Sequence, residues 1–229
     1  MEKLINSEIF MLTITVGSYF GGQWLYRKSN IKLLHPIITS VATIIAVLIL
    51  LDIPYDSYRE GSHFIHFLLG PSVVALGYLL YEELHHIKGN LVSLLVALLA
   101  GSLVGIISVI WICRWLGADP TIIASLQPKS VTTPIAIGLS ARSGGLPALT
   151  AIVVVLCGIL GSIAGPWLLK KLGVKSKVAK GLALGAASHG IGTARALEIG
   201  TLEGAVSGMA IGLMGIITAI LIPLLERWV

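Results

Sequence analysis

The sequence predicts an all-α polytopic membrane protein with six to eight hydrophobic segments, two or three of them interrupted or re-entrant, forming a transporter-like core. Three observations lead there. Of 229 residues, 55% are hydrophobic and only 12% charged, against roughly 25% charged in soluble domains. The mean hydropathy is +0.93. The charge is also segregated, because stretches 9–26, 33–51, 91–113, 143–169 and 204–225 hold no Asp, Glu, Lys or Arg. Each approaches or exceeds the ~18 apolar residues of a transmembrane helix, so five spans are expected from these runs.

Taken in order, the first run lies where a cleaved signal peptide would sit. It lacks a small-x-small cleavage site and is followed by YRKSNIK, which reads as a positive-inside anchor. The loop 27–32, with Arg27, Lys28 and Lys32, is therefore placed in the cytoplasm and the N-terminus outside. The loop 52–60 (DIPYDSYRE) carries acids and a single Arg59, as an outside loop would. The loop 170–180 (KKLGVKSKVAK) has five lysines and no acid, which again marks the cytoplasm.

Three further segments are apolar but interrupted: 61–81, 120–141 and 181–197. Gly, Pro or hydroxyl residues at their centres would leave backbone groups unpaired in hydrocarbon. Such breaks are tolerated only in protein or along a wet cavity, and paired breaks are a pointer to a transporter's binding site. An even number of crossings must separate the two basic loops, and three charge-free runs lie between them. One of 61–81 and 120–141 should then cross and the other fold back. The segment 120–141 is more polar and holds two prolines, which favours it as the hairpin. The whole chain reads as one integral membrane domain, 1–229, with 1–60 as scaffold and 61–229 as the core with the breaks.

A weak internal repeat is visible: Pro71 and Pro128 each lie 30 residues before a glycine, Gly101 or Gly158. Small residues at helical spacing (Gly101/Gly105, Gly161/Gly165, Gly181/Gly185, Gly204/Gly208/Gly212) point to close helix packing. The formal charge of +5 resides in loops, where topology explains it without nucleic acid. Cys113 and Cys157 fall in apolar runs at no metal-ligand spacing and read as buried thiols. His63 and His66 have no acid or Cys partner in sequence and read as interfacial, and His85 and His86 beside Glu82 and Glu83 read as a polar loop. Neither a metal site nor a cofactor is expected.

Enzyme chemistry finds no footing. Ser188 and His189 are adjacent, which is not the geometry of a base orienting a nucleophile. HGIGTA lacks the third glycine and the preceding strand of a dinucleotide fingerprint. No Walker sequence is present.

Two separated stretches, PKSVTTPIAIGLSARSGGLPALTA and KGLALGAASHGIGTARALEIGTLEGAVSGMAIGLMGIITAILIPLL, resemble the LrgB/CidB family of bacterial membrane proteins. The likeness covers nearly the whole chain and is strongest from Leu126 to Leu225, on the ordered motifs PKSxTTPIA and GxxSHGIGTA. The resemblance implies a multi-pass protein of the bacterial cytoplasmic (inner) membrane. It implies transport of a small monocarboxylate (pyruvate, lactate, glycolate or glycerate class), and the plastid glycolate/glycerate translocator is a relative. It also leaves a second reading open, an antiholin-like or holin-like regulator of murein hydrolase export and autolysis. Members act with a small LrgA/CidA-type holin-like partner, so the expected partners are a small carboxylate, membrane lipid and such a protein, with self-association open.

The polar residues at the breaks then have a candidate role. A carboxylate leaving water needs donors and positive potential, which half-helix N-termini supply. Pro128 is expected at the first turn of the second half of 120–141. Lys129, Ser130, Thr132 and Thr133 would line the site, facing Ser188, His189, Gly190 and Thr193 of the second break. Lys129 either counters the substrate's charge, snorkels to the interface or pairs with an acid. His189 either binds substrate, carries a proton, or is structural. The hydroxyls either touch substrate or only satisfy the broken backbone. Arg142 and Arg195, at segment ends, are secondary candidates. A Thr133→Val variant keeps shape and removes one hydroxyl. It is expected to weaken substrate binding by about 1–3 kcal/mol, read as a raised half-saturation concentration for uptake.

Overall fold

A computed structural model describes residues 7–29, 34–83, 85, 89 and 91–226. Lys32 and His86 lie outside these, as does the side chain of His66. Among the described residues there is no strand. Eleven helices of described residues follow one another: α1 (Glu8–Ser29), α2 (Pro36–Leu50), α3 (Tyr55–Gly61), α4 (His63–Phe67), α5 (Leu69–Glu82), α6 (Leu91–Trp115), α7 (Pro120–Leu126), α8 (Thr133–Arg142), α9 (Pro147–Lys171), α10 (Lys177–Ile199) and α11 (Thr201–Glu226). They divide into two compact units, residues 1–74 and 75–229.

Among the described residues, three helices are long and apolar enough to cross a membrane: Leu91–Trp115, Pro147–Lys171 and Thr201–Leu225. The other two charge-free runs fall short for different reasons. α1 has the length, but threonines, glycines, tyrosines and Gln23 dilute its hydropathy. α2 is apolar but has only 15 residues. In each of the three long helices only 28% of the apolar window is buried. Side chains such as Val92, Trp111, Leu160 and Ile216 are exposed, a surface that suits lipid and not water.

In the first unit, α1 and α2 pack where Gly22 meets Pro36 and Thr39. Met11 is fully buried and lies against Gly61 of α3. Thr15 Oγ1 and the Tyr58 hydroxyl are 2.9 Å apart.

The second unit holds the broken helices. The segment 120–141 is interrupted as expected, with α7 and α8 separated by residues 127–132. The two limbs meet in one apolar cluster, where Ile123 and Leu139 lie with Ile106, Val109 and Cys113 of α6 and Ile222 of α11. The chain therefore turns back between them. Pro128 does not open the second limb, contrary to the expectation from sequence. It is buried within the turn, and Pro134 takes the first-turn position of α8 behind the N-cap Thr132. Proline costs least there, since its missing N–H would be unpaired in any case.

The break in α10 is sharper. His189 has φ 42° and ψ −131° inside an otherwise helical run. A Cβ on Gly192 would overlap the Leu184 carbonyl oxygen. In a straight helix, residues eight apart lie about 12 Å from each other, so the chain folds back at His189. Both limbs then run along one stretch of α11. Gly181 and Gly185 of the first limb meet Glu203 and Ser207, and Thr193 of the second bonds Ser207 at 2.7 Å.

A long helix followed by a folded-back pair thus occurs twice, in α6–α7–α8 and in α9–α10. Gly101 and Gly158 occupy matching places, the eleventh and twelfth residues of α6 and α9. The proline half of the expected repeat does not hold. Pro71 is the third residue of α5, while Pro128 lies between helices.

Gly161 marks where α9 and the α10 break come closest, since a Cβ there would overlap Ser188 Oγ. Gly161→Ala should lower stability by about 1–3 kcal/mol through overpacking. Gly212→Ala, with open space around its Cα, should be neutral or stabilising by up to about 1 kcal/mol. Thermal unfolding of the two variants in the same detergent checks the contrast.

Candidate functional site

The first break is anchored by hydroxyls. Ser125, in the last turn of α7, donates to the Thr121 carbonyl at 2.7 Å and accepts from the Leu146 amide at 2.7 Å. The Thr150 hydroxyl of α9 reaches the Ser125 carbonyl at 3.0 Å and the Ser140 hydroxyl at 2.7 Å. All three side chains are fully buried. Both limbs are tied to the start of α9, and residues 127–132 are held at a fixed place in the core.

That turn carries Lys129 and Ser130 into the wall of a cavity of about 570 Å³. Its other walls are nearly all apolar: Ala97, Leu98 and Val104 of α6, Leu182, Ala183, Ala186 and Ala187 of α10, and Met214 of α11. Lys129 Nζ donates to Ser130 Oγ at 3.2 Å. Val131 is buried in the same apolar cluster as Leu98, Ala136, Val154 and Met214, with Leu182 and Ala186 packed against it. Thr132 and Thr133 are half-buried, Thr132 as the N-cap of α8 without a side-chain capping bond.

A smaller cavity adjoins this turn, lined by Ser102, Gln127, Ser130 and Thr218 with Gly101 and Gly105. Its volume of about 10 Å³ is that of a single water-sized sphere. Ser102 Oγ and Thr218 Oγ1 are 3.1 Å apart, and the buried Gln127 Oε1 has no protein partner.

The second break is held from α9 and α11. The His189 ring donates through Nε2–H to the Val154 carbonyl at 3.0 Å. A Cβ on Gly158 would stand 2.8 Å from His189 Cε1, so the glycine makes room for the ring. The Thr193 hydroxyl donates to the His189 carbonyl at 3.0 Å and meets Ser207 Oγ. Ser188 is fully buried, yet its Oγ has no partner. Gly190 is exposed, with open space around it. A histidine at positive φ stores about 1–3 kcal/mol of backbone strain and persists only where its surroundings fix it. Two features of α9 do that here, the Val154 carbonyl that accepts from the ring and the space left by Gly158.

The sequence-predicted residues are thus partly brought together. Lys129 and Ser130 share a cavity with Ala186 and Ala187, which immediately precede Ser188. Ser188, His189 and Thr193 themselves turn toward α9 and α11. Arg142 is exposed at the end of α8, and Arg195 is ion-paired with Glu198. His63 borders a separate cavity in the first unit with Tyr58 and Arg59. The residues missed from sequence are Ser125, Ser140, Thr150, Ser207, Gln127, Ser102 and Thr218. Each is an uncharged polar side chain in or beside an apolar run, and only its place in the folded chain reveals its surroundings.

Comparison with known proteins follows the same residues. The model of the LrgB-like family matches residues 15–228. The uncharacterized protein YxaC of Bacillus subtilis is 37% identical over 216 residues, covering 94% of each chain. The holin-like protein CidB of Staphylococcus epidermidis is 33% identical over 217 residues, covering 95% of each chain. The holin-like protein CidB of Staphylococcus aureus is similar to the same extent. No solved structure matches the chain.

The hydrogen bonds separate structural from unemployed hydroxyls. Thr193→Val should cost about 1–3 kcal/mol, because it strands Ser207 Oγ in the core. Ser188→Ala removes an unpartnered group and should be neutral or stabilising. Chemical denaturation monitored by tryptophan fluorescence tests the pair.

Proposed function

The chain belongs to the LrgB-like family of membrane proteins, and from that premise we propose that it carries small monocarboxylates of the pyruvate, lactate, glycolate or glycerate class. The single observation that supports this most is Lys129, placed at a helix break and facing a cavity of about 570 Å³ with almost wholly apolar walls. A lysine inside an apolar membrane segment is costly, and an entering carboxylate is the chemical group that offsets it. Ser130, and the hydroxyls of Thr132 and Thr133 beside it, are donors for the second carboxylate oxygen. The unpartnered Ser188 Oγ lies one residue beyond the Ala187 wall and is available once the α10 tip moves.

In this reading the protein lies in the bacterial cytoplasmic membrane with its N-terminus outside and loop 170–180 in the cytoplasm. Six segments cross: α1, α2, the segment 61–81, α6, α9 and α11. Two re-enter: 120–142 from outside and 177–199 from the cytoplasm. A hairpin from each face, each following a crossing helix, is the inverted arrangement of alternating-access carriers. Transport is passive or proton-linked, with His189 as the proton-carrying group. A small LrgA/CidA-type protein is the expected partner. The chain acts as no enzyme in this scheme.

The holin-like character for which the staphylococcal relatives are named favours a second reading, a membrane regulator of murein hydrolase export without a transported solute. Reconstitution separates the two. Uptake of radiolabelled pyruvate, lactate and glycolate into proteoliposomes is measured with and without the partner and a pH gradient. Saturable uptake is expected, falling more than about tenfold in Lys129→Met, the loss for removing a charged hydrogen-bond donor. Acceleration by the pH gradient, abolished in His189→Ala, would identify proton coupling. No uptake by folded protein with its partner present would overturn the transport reading in favour of the regulator.

A further inference from the structure

The connector from α9 to α10 borders a further cavity, of about 510 Å³, whose lining divides by chemistry. Lys170, Lys175 and Lys180 line it together with the apolar side chains of Leu169, Val174 and Ile199. No Asp or Glu among the described residues lines it. The acid next to Ile199 in sequence, Glu198, is engaged by Arg195.

Position narrows the ligand. Lys170 and Lys171 close α9, a helix long and apolar enough to span a membrane. Lys171 stands over the Trp167 ring, 5.1 Å from its centroid. Tryptophan and lysine at a span's end mark the level of lipid headgroups. A small soluble anion would satisfy the lysines and leave the apolar half of the cavity wet. A ligand with an anionic head and an apolar tail satisfies both halves, and basic pockets between helices at this level attract such headgroups.

We propose that this cavity binds one anionic phospholipid, with its phosphate among Lys170, Lys175 and Lys180 and its acyl chain against Leu169, Val174 and Ile199. The site is distinct from the one at Lys129 but shares a wall with it, since Leu169 and Val174 line both cavities. A lipid seated there borders the route between the connector and the Lys129 turn. The inference does not rest on carboxylate transport and holds equally for a regulator.

Native mass spectrometry of the purified full chain, titrated with phosphatidylglycerol or with phosphatidylcholine of the same acyl chains, tests it. The wild type should hold one phosphatidylglycerol more tightly than any phosphatidylcholine. Each lysine removed from the cavity should weaken that binding about fivefold. K170S/K175S/K180S should therefore lose it, while K28S/K171S/K177S, which removes three charges outside the cavity, should keep it. If the first triple variant does not purify as folded protein, the single exchange Lys175→Glu in the exposed connector carries the same expectation. Equal loss in both triple variants would overturn the site in favour of general charge attraction. Displacement of the lipid by millimolar inorganic phosphate, or equal affinity for both lipids, would likewise overturn it.

Discussion

The fold depends on one constraint, that a backbone broken inside hydrocarbon must find its hydrogen-bond partners within the protein. Two helices of the second unit are broken, at residues 127–132 and at His189, and each break recruits a different device. At the first, hydroxyls substitute for the missing ladder. Ser125 takes the Leu146 amide, Thr150 reaches the Ser125 carbonyl, and Ser140 joins them. At the second, an imidazole reaches across to a neighbouring helix's carbonyl and a threonine covers the histidine's own. These contacts keep the chain turned back where a continuous helix would otherwise relieve both breaks.

Room for such turns comes from small residues. Two limbs and a neighbouring helix can share one level of the core only if their backbones nearly touch. Gly158 and Gly161 on α9, and Gly181 and Gly185 against α11, supply that approach. The glycine spacing that resembles a simple dimer motif is spent inside the chain at these positions. Tight packing and breakage are therefore coupled, because the glycines that lower helix propensity are those that admit the fold-back.

Charge is placed with the same economy. The long helices carry almost none, and the one lysine inside an interrupted segment, Lys129, lines an open cavity whose other walls are nearly all apolar. The lysines of the α9–α10 connector stand at the end of a span, next to an apolar wall common to both cavities. Positive charge is thus present at the membrane edge and again at the hairpin turn, with small alanine side chains between.

Much of this was legible in the residues themselves. Charge-free runs fix the helical class and the three long spans, because burial in lipid excludes charge wherever a helix crosses. The positions of the breaks were legible too, since Pro, Gly and hydroxyl residues interrupt apolar runs at 120–141 and 181–197. The sharpness of each turn was not. Pro128 is the proline expected to open the second limb, but it is buried in the turn, and Pro134 holds the first-turn position instead. Nothing in SHGIGT indicates that His189, and not Gly190, adopts the positive φ. The bond to Val154, 35 residues away, decides it. The hydroxyl partners Ser125, Ser140, Thr150 and Ser207 were equally hidden, because a lone serine in an apolar run looks the same whether it bonds its own helix or another. Local sequence determines where the chain can break. Only the tertiary structure decides which distant groups satisfy the break, because hydrogen bonds across helices are set by distance in space and leave no periodicity along the chain.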